Sequence, residues 1–247
     1  MIRFFTNFDG VEYQLRYVVV NPFNFPAFMS WVRRFPNVRE ILLDTGVETF
    51  FLRQNLPDYP RWFLKQYIRL IEILNDFYAR RYKVIVTVPD IPCDYPGRGY
   101  LYPWNVKRTI EYIQYFLDNI IPKYDKITFM AVVQGKKDSI PSVLKTYMEH
   151  QDVYREFSLI ALGPTCSTRA WKTLAELILR FDAITRHRYH VFGPTKRTIK
   201  LVAGRVRYMY SFDSTGYFHN GKLRAHRRER TRAFLEWIKD LPPEVEY

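Results

Sequence analysis

Asp44, Asp90, Asp213 and Gln134 each lie at or just past the end of a short apolar run, with glycine or proline close by. The runs read LLDTG, TVPDIPCDYPG, AVVQG and SFDST. Two more, ALGPT and HVFGPT, end on Gly163 and Gly193. Carboxylates so placed can attack an electrophilic carbon or pass a proton. Beside an amide they can also read the edge of a guanine. Carboxylate oxygens accept from N1–H and the exocyclic amine, while the Gln134 amide donates to O6. Glycines such as Gly135 and Gly163 let a backbone approach a flat ligand closely. One strand-end aspartate is often no more than a cap for the next helix. A series of them on successive runs argues for a shared site.

A site of this kind needs the runs to end side by side. Strands are expected at Leu15–Val20, Glu40–Asp44, Lys83–Pro89, Ile127–Gln134, Ser158–Gly163, Tyr189–Gly193 and Arg207–Asp213, and Ile2–Thr6 can supply an eighth. They are nearly continuous in apolar residues, as parallel strands covered on both faces are. Helices are expected over Pro60–Arg81, Pro103–Ile121, Ser139–Glu149, Thr168–Arg186, Lys196–Ala203 and Glu229–Asp240. Alternating βα units imply a parallel sheet. The strand count favours one α/β domain over residues 1–247, a (β/α)8 barrel of the TIM type, irregular or incomplete if the eighth strand fails. In such a barrel the strands' C-terminal ends build the active site.

The 247 residues carry 38 Lys+Arg against 25 Asp+Glu, a formal charge of +13. A domain so basic attracts polyanions, nucleic acid foremost. The two cysteines, Cys93 and Cys166, have no CxxC spacing, which argues against a disulfide framework or a cysteine-rich metal site. No apolar run approaches membrane-span length and no signal peptide is read, so the expected location is cytoplasmic, with no membrane partner. No P-loop, GxGxxG or HExxH pattern occurs. His187 and His190, at a strand start, read as structural.

The ordered series LDTG, PD followed by DYP, VQG, ALG, FG and FDS resembles the queuine/archaeosine tRNA-guanine transglycosylase superfamily. The likeness covers about residues 40 to 215 and extends to shorter relatives that insert 7-deazaguanine into DNA. It implies a glycosyltransferase (a pentosyltransferase) that exchanges a guanine in tRNA or DNA for a 7-deazaguanine base. In that reading Asp213 is the nucleophile at C1′ of the target nucleotide, and Asp44 is a general acid/base or positions ribose and base. Asp90, Gln134, Gly135 and Gly163 then bind the base.

The chain also departs from the family pattern. Glu48 occupies the position of the family's stacking aromatic, with Phe50 and Phe51 the nearest replacements. Pro164 follows Gly163 and has no N–H to donate to a base. The family's Cys/Cys/Cys/His zinc site is missing, since only His219 and His226 follow Asp213, so no metal and no cofactor are expected.

Near the place of that zinc region runs a basic stretch, residues 222–232. Lys222, Arg224, Arg227, Arg228 and Arg230 could contact phosphates, or could form a solvated helix face. Two further functions fit the same residues. One is a catalytically silent relative that only binds nucleic acid. The other is a barrel glycosidase using two carboxylates on a sugar. The sequence leaves the oligomeric state open.

Overall fold

A computed structural model describes residues 1–8, 11–93, 102–165, 170–214 and 227–247, without the side chains of Leu52, Arg227 and Arg228. Eight parallel strands close into a barrel. They are β1 (Ile2–Asn7), β2 (Tyr17–Val20), β3 (Glu40–Leu43), β4 (Lys83–Thr87), β5 (Ile127–Val133), β6 (Leu159–Leu162), β7 (Arg188–Val191) and β8 (Met209–Asp213). Each pairs with the next, and β1 closes the ring by pairing with both β8 and β2. The expected barrel of the (β/α)8 type is therefore present with all eight strands closed, the eighth of the expected strands, Ile2–Thr6, falling within β1. Among the described residues no α-helix separates β1 from β2, and two follow β5. A two-residue strand, β9 (Val245–Glu246), adds to β1 from outside.

Eight α-helices accompany the strands among the described residues: α1 (Phe25–Arg34), α2 (Arg61–Ile73), α3 (Tyr102–Asn119), α4 (Ile140–Glu149), α5 (Gln151–Tyr154), α6 (Trp171–Ile184), α7 (Lys196–Val202) and α8 (Arg227–Ile238). The first is not among the expected helices. Its buried face is Phe25, Phe28, Trp31 and Val32, with Pro26 in the first turn and Arg33 and Arg34 in the last, where cations suit the helix dipole. The expected helix Pro60–Arg81 is α2 continued by a π-helical turn, Leu74–Tyr78. A second π-helical turn, Glu48–Arg53, follows β3.

Alternation along each strand divides the core in two. Leu42, Ile85, Met130, Val132, Ala161 and Phe5 fill the barrel interior. Their neighbours Ile41, Leu43, Val84, Val86, Ala131, Val133, Ile160 and Phe4 pack outward under the helices. Burial on both faces explains why these strands read as unbroken apolar runs.

The barrel floor is polar. Tyr210 donates its hydroxyl to Glu40 Oε2 at 2.5 Å and accepts from Lys83 Nζ at 2.7 Å. The Arg3 and Arg188 guanidinium groups lie over its ring at 4.3 and 4.1 Å, and Arg3 also pairs with Glu40 at 3.2 Å. Each cation thus has an anion or a π face to offset its desolvation.

The pairing of β7 with β8 is irregular. Tyr189 pairs with Met209 and His190 with Ser211, so Tyr210 is an extra residue on β8. This is a β-bulge, and it changes which residues face inward. Tyr210 packs in the interior cluster. Phe212 points outward, stacked on Phe4 at 5.0 Å. Ser211 and Asp213 then turn inward, where both meet His190. With unbroken alternation from Tyr210, Phe212 would occupy the mouth and Asp213 the outside.

Candidate active site

All eight strands run the same way, so their C-terminal ends gather Asp44, Asp90, Gln134, Gly163, Gly193 and Asp213 at one mouth. Tyrosines brace that rim. Tyr67 of α2 donates its hydroxyl to Thr87 O at 2.7 Å, with Leu43 O at 3.3 Å. Tyr154 of α5 donates to Val132 O at 3.3 Å. Tyr59 reaches Asp90 O at 3.0 Å. Carbonyls near the strand ends thereby keep partners while the mouth stays open.

Asp44 and Asp213 are held in the same manner. Gly46 N–H donates to Asp44 Oδ2 at 3.1 Å, and Gly193 N–H donates to Asp213 Oδ1 at 2.9 Å. Both glycines have positive φ, 72° and 61°, a conformation that side chains disfavour and that bends the backbone N–H back to the strand end. Neither aspartate caps a described helix. The π-helical turn after β3 starts beyond Val47.

Their environments differ. Asp44 retains some exposure but sits among protein atoms that desolvate it. Burial, and after it the negative charge of Asp213, pushes its carboxyl up to about 6. Asp213 has a side chain 23% exposed, and Oδ1 takes a second contact, His190 Nε2 at 3.4 Å. Both of these contacts fall on Oδ1, and Oδ2 has no hydrogen-bond partner among the described residues.

Asp90 and Gln134 form a buried pair, with Gln134 Nε2 donating to Asp90 Oδ2 at 2.6 Å. Cys93 N–H donates to Gln134 Oε1 at 3.3 Å, which fixes which way round the amide lies. The sequence assigned Cys93 no part. Gly163 has a packing role here. A Cβ on it would lie 2.4 Å from Gln134 Nε2, so only glycine leaves the amide its place. Gly135 differs, since a Cβ there would meet Val143, at 2.6 Å from its Cγ2 and 2.8 Å from its Cα. Its smallness serves the close approach of α4.

Two aromatic expectations are corrected. Phe50 and Phe51 are buried and cannot stack on a ligand. Phe50 packs on Phe63 at 4.5 Å and Phe51 on Tyr59 at 4.9 Å. Phe23, on the loop between β2 and α1, is 48% exposed and lies against Gly46, two residues from Asp44. Asn21 Oδ1 accepts from the N–H groups of Phe23 and Asn24, and Asn24 Oδ1 accepts from Asn21 N–H, which fixes this short loop.

Lys222 and Arg224 of the basic stretch lie outside the described residues, as do the side chains of Arg227 and Arg228 at the start of α8. Arg230 is half-buried on that helix. Among the described residues, no cluster of three His, Cys, Asp or Glu could hold a metal ion, and no helix is long and apolar enough to cross a membrane. No protein-family model matches the chain, and no curated protein matches it.

Proposed function

We propose that the protein is a glycosyltransferase that exchanges a guanine in tRNA or DNA for a 7-deazaguanine base. The observation that carries this reading is the pair Asp213 and Asp44. One carboxyl has one oxygen pinned and the other without a hydrogen-bond partner among the described residues. Its neighbour holds a proton up to about pH 6. Paired carboxyls in unequal environments are how a site assigns a nucleophile and an acid/base.

Asp213 Oδ2 attacks C1′ of the target nucleotide, the bond from C1′ to guanine breaks, and the sugar is left esterified to the enzyme. Asp44 supplies a proton to the departing base. The incoming base loses a proton, which returns to Asp44, and attacks C1′ from the side that guanine left, breaking the C1′–Oδ2 ester bond and releasing the Asp213 carboxylate. Two displacements retain the anomeric configuration. Asp90 and Gln134 read the base edge, which requires them to exchange their mutual bond for bonds to the ligand. Phe23 offers a fixed, exposed aromatic face beside Asp44 on which a base can stack. The +13 charge supports a polyanionic substrate over a neutral sugar. The target nucleotide must leave its stack to reach the mouth, at a cost of a few kcal/mol.

The test is base exchange. Labelled guanine or a 7-deazaguanine is incubated with tRNA and with duplex DNA, using wild type and Asp213→Asn. Incorporation into one nucleic acid by wild type alone is expected, with nucleic-acid binding intact in the variant. Incorporation by neither protein, with tight binding by both, would instead make the chain a silent binding relative.

A further inference from the structure

We infer that His190 is a positioning residue for Asp213, fixing which of its carboxyl oxygens attacks. The inference rests on the reading of Asp213 as nucleophile. His190 lies on β7 inside the barrel, only 1% exposed. Its Nδ1 is 2.9 Å from Ser211 Oγ and its Nε2 is 3.4 Å from Asp213 Oδ1. An ionised carboxyl only accepts, so the ring carries its hydrogen on Nε2. Nδ1 is then the acceptor for the Ser211 hydroxyl, which can donate. The opposite tautomer would set a nitrogen lone pair against a carboxylate oxygen. Phe192 at 4.7 Å and Phe5 at 6.1 Å meet the ring edge-on and limit its rotation.

Serine, histidine and aspartate in line suggest a hydrolytic triad, but the order in space is inverted. Ser211 is 1% exposed, at the closed end of the chain of bonds, whereas the Asp213 side chain is 23% exposed at the mouth. A nucleophilic serine must reach a substrate carbon, and Ser211 does not. The chain therefore works outward. Ser211 sets the tautomer of His190, and His190 with Gly193 N–H occupies Oδ1. Rotation of the carboxyl about its Cβ–Cγ bond, which would exchange the two oxygens, breaks both bonds. The bulge at Tyr210 creates the arrangement, because it brings Ser211 and Asp213 to the inner face together. At 3.4 Å the histidine contact is long, and such bonds often shorten in the reacting complex.

Two measurements test this. In protein labelled with 15N-histidine, His190 should show the Nε2–H tautomer, with its resonances moved by Ser211→Ala and by Asp213→Asn. A Nδ1–H tautomer would overturn the inference without any need for turnover. In the exchange assay, His190→Leu should lower kcat on the order of 10²-fold, the size expected for a misplaced reacting group, with KM changed less than about twofold. His190→Gln, whose amide N–H can replace Nε2–H, should recover to within about tenfold of wild type. Equal losses in both variants, matched by equal losses of Tm, would leave His190 a packing residue. Full activity of His190→Leu with Asp213→Asn dead would sink the positioning role alone. Wild-type turnover by Asp213→Asn would sink the nucleophile reading itself.

Discussion

Asp213 raises the carboxyl pKa of Asp44: after burial, its negative charge is the strongest influence holding Asp44 near 6. A carboxyl with a raised folded-state pKa binds its proton more tightly in the fold than in the unfolded chain. Its ionisation therefore opposes folding. That penalty is fully present above about pH 6 and is relieved as pH falls from there towards the ordinary value of 3.8.

Asp44→Asn is accordingly expected to stabilise the protein at neutral pH while removing exchange activity. The shift corresponds to a gain of at most about 3 kcal/mol at about pH 7.5, falling to about 0.5 kcal/mol at about pH 4 and to nothing about one pH unit below that. Denaturant unfolding of both proteins at the two pH values measures it. A variant less stable than wild type at the higher pH would mean that Asp44 is held by attractive contacts and has no raised pKa. Asp213→Asn should also bring the Asp44 carboxyl down, which 13C NMR titration of the side chain reads directly.

The barrel was legible because its strands are buried on both faces and, from β2 onward, alternate with helices, so composition alone marks it. The strand-end aspartates were legible for the same reason, since the end of an apolar run is the mouth of the barrel. Less visible were relations that depend on neighbouring strands. His190 and Asp213 are 23 residues apart, and only the pairing of β7 with β8 brings them together. The bulge that turns Asp213 inward follows from pairing register, which local residue types do not encode. Helix α1 does carry a local signal. Its apolar residues at 25, 28, 31 and 32 follow helical spacing behind a proline-containing first turn.

Gly163 and Gly135 should respond differently to alanine. A methyl at Gly163 runs into the amide end of Gln134, which can swing away only by giving up its 2.6 Å bond to Asp90. Gly163→Ala should therefore weaken binding of the base strongly, and it also costs stability, since the methyl meets buried Val132 Cγ1 at 2.7 Å. A methyl at Gly135 meets the Val143 backbone, which cannot move without shifting α4. Gly135→Ala should cost about 1–3 kcal/mol of stability, the usual range for overpacking. Thermal melts and equilibrium binding of guanine on both variants separate the two. Binding of guanine by Gly163→Ala as tight as by Gly135→Ala would deny Gly163 its special relation to Gln134.

Phe23 and Phe50 are in contact, with ring centroids 5.4 Å apart, yet should do opposite things. Phe50 is fully buried against Phe63, Tyr59 and Trp62. Phe50→Ala should cost about 3–5 kcal/mol of stability, as large aromatic deletions in a core do. Phe23 has half its surface in solvent and a loop fixed by its own asparagines. Phe23→Ala should leave Tm nearly unchanged and weaken binding of an unpaired base by about 1–3 kcal/mol, the usual worth of one aromatic stack. Phe23→Trp should keep the stack and the affinity. Affinity for single-stranded oligonucleotides, measured for the three variants beside their melts, decides the matter. A Phe23→Ala protein that binds as wild type does would remove Phe23 from the site and leave stacking to another aromatic of the rim.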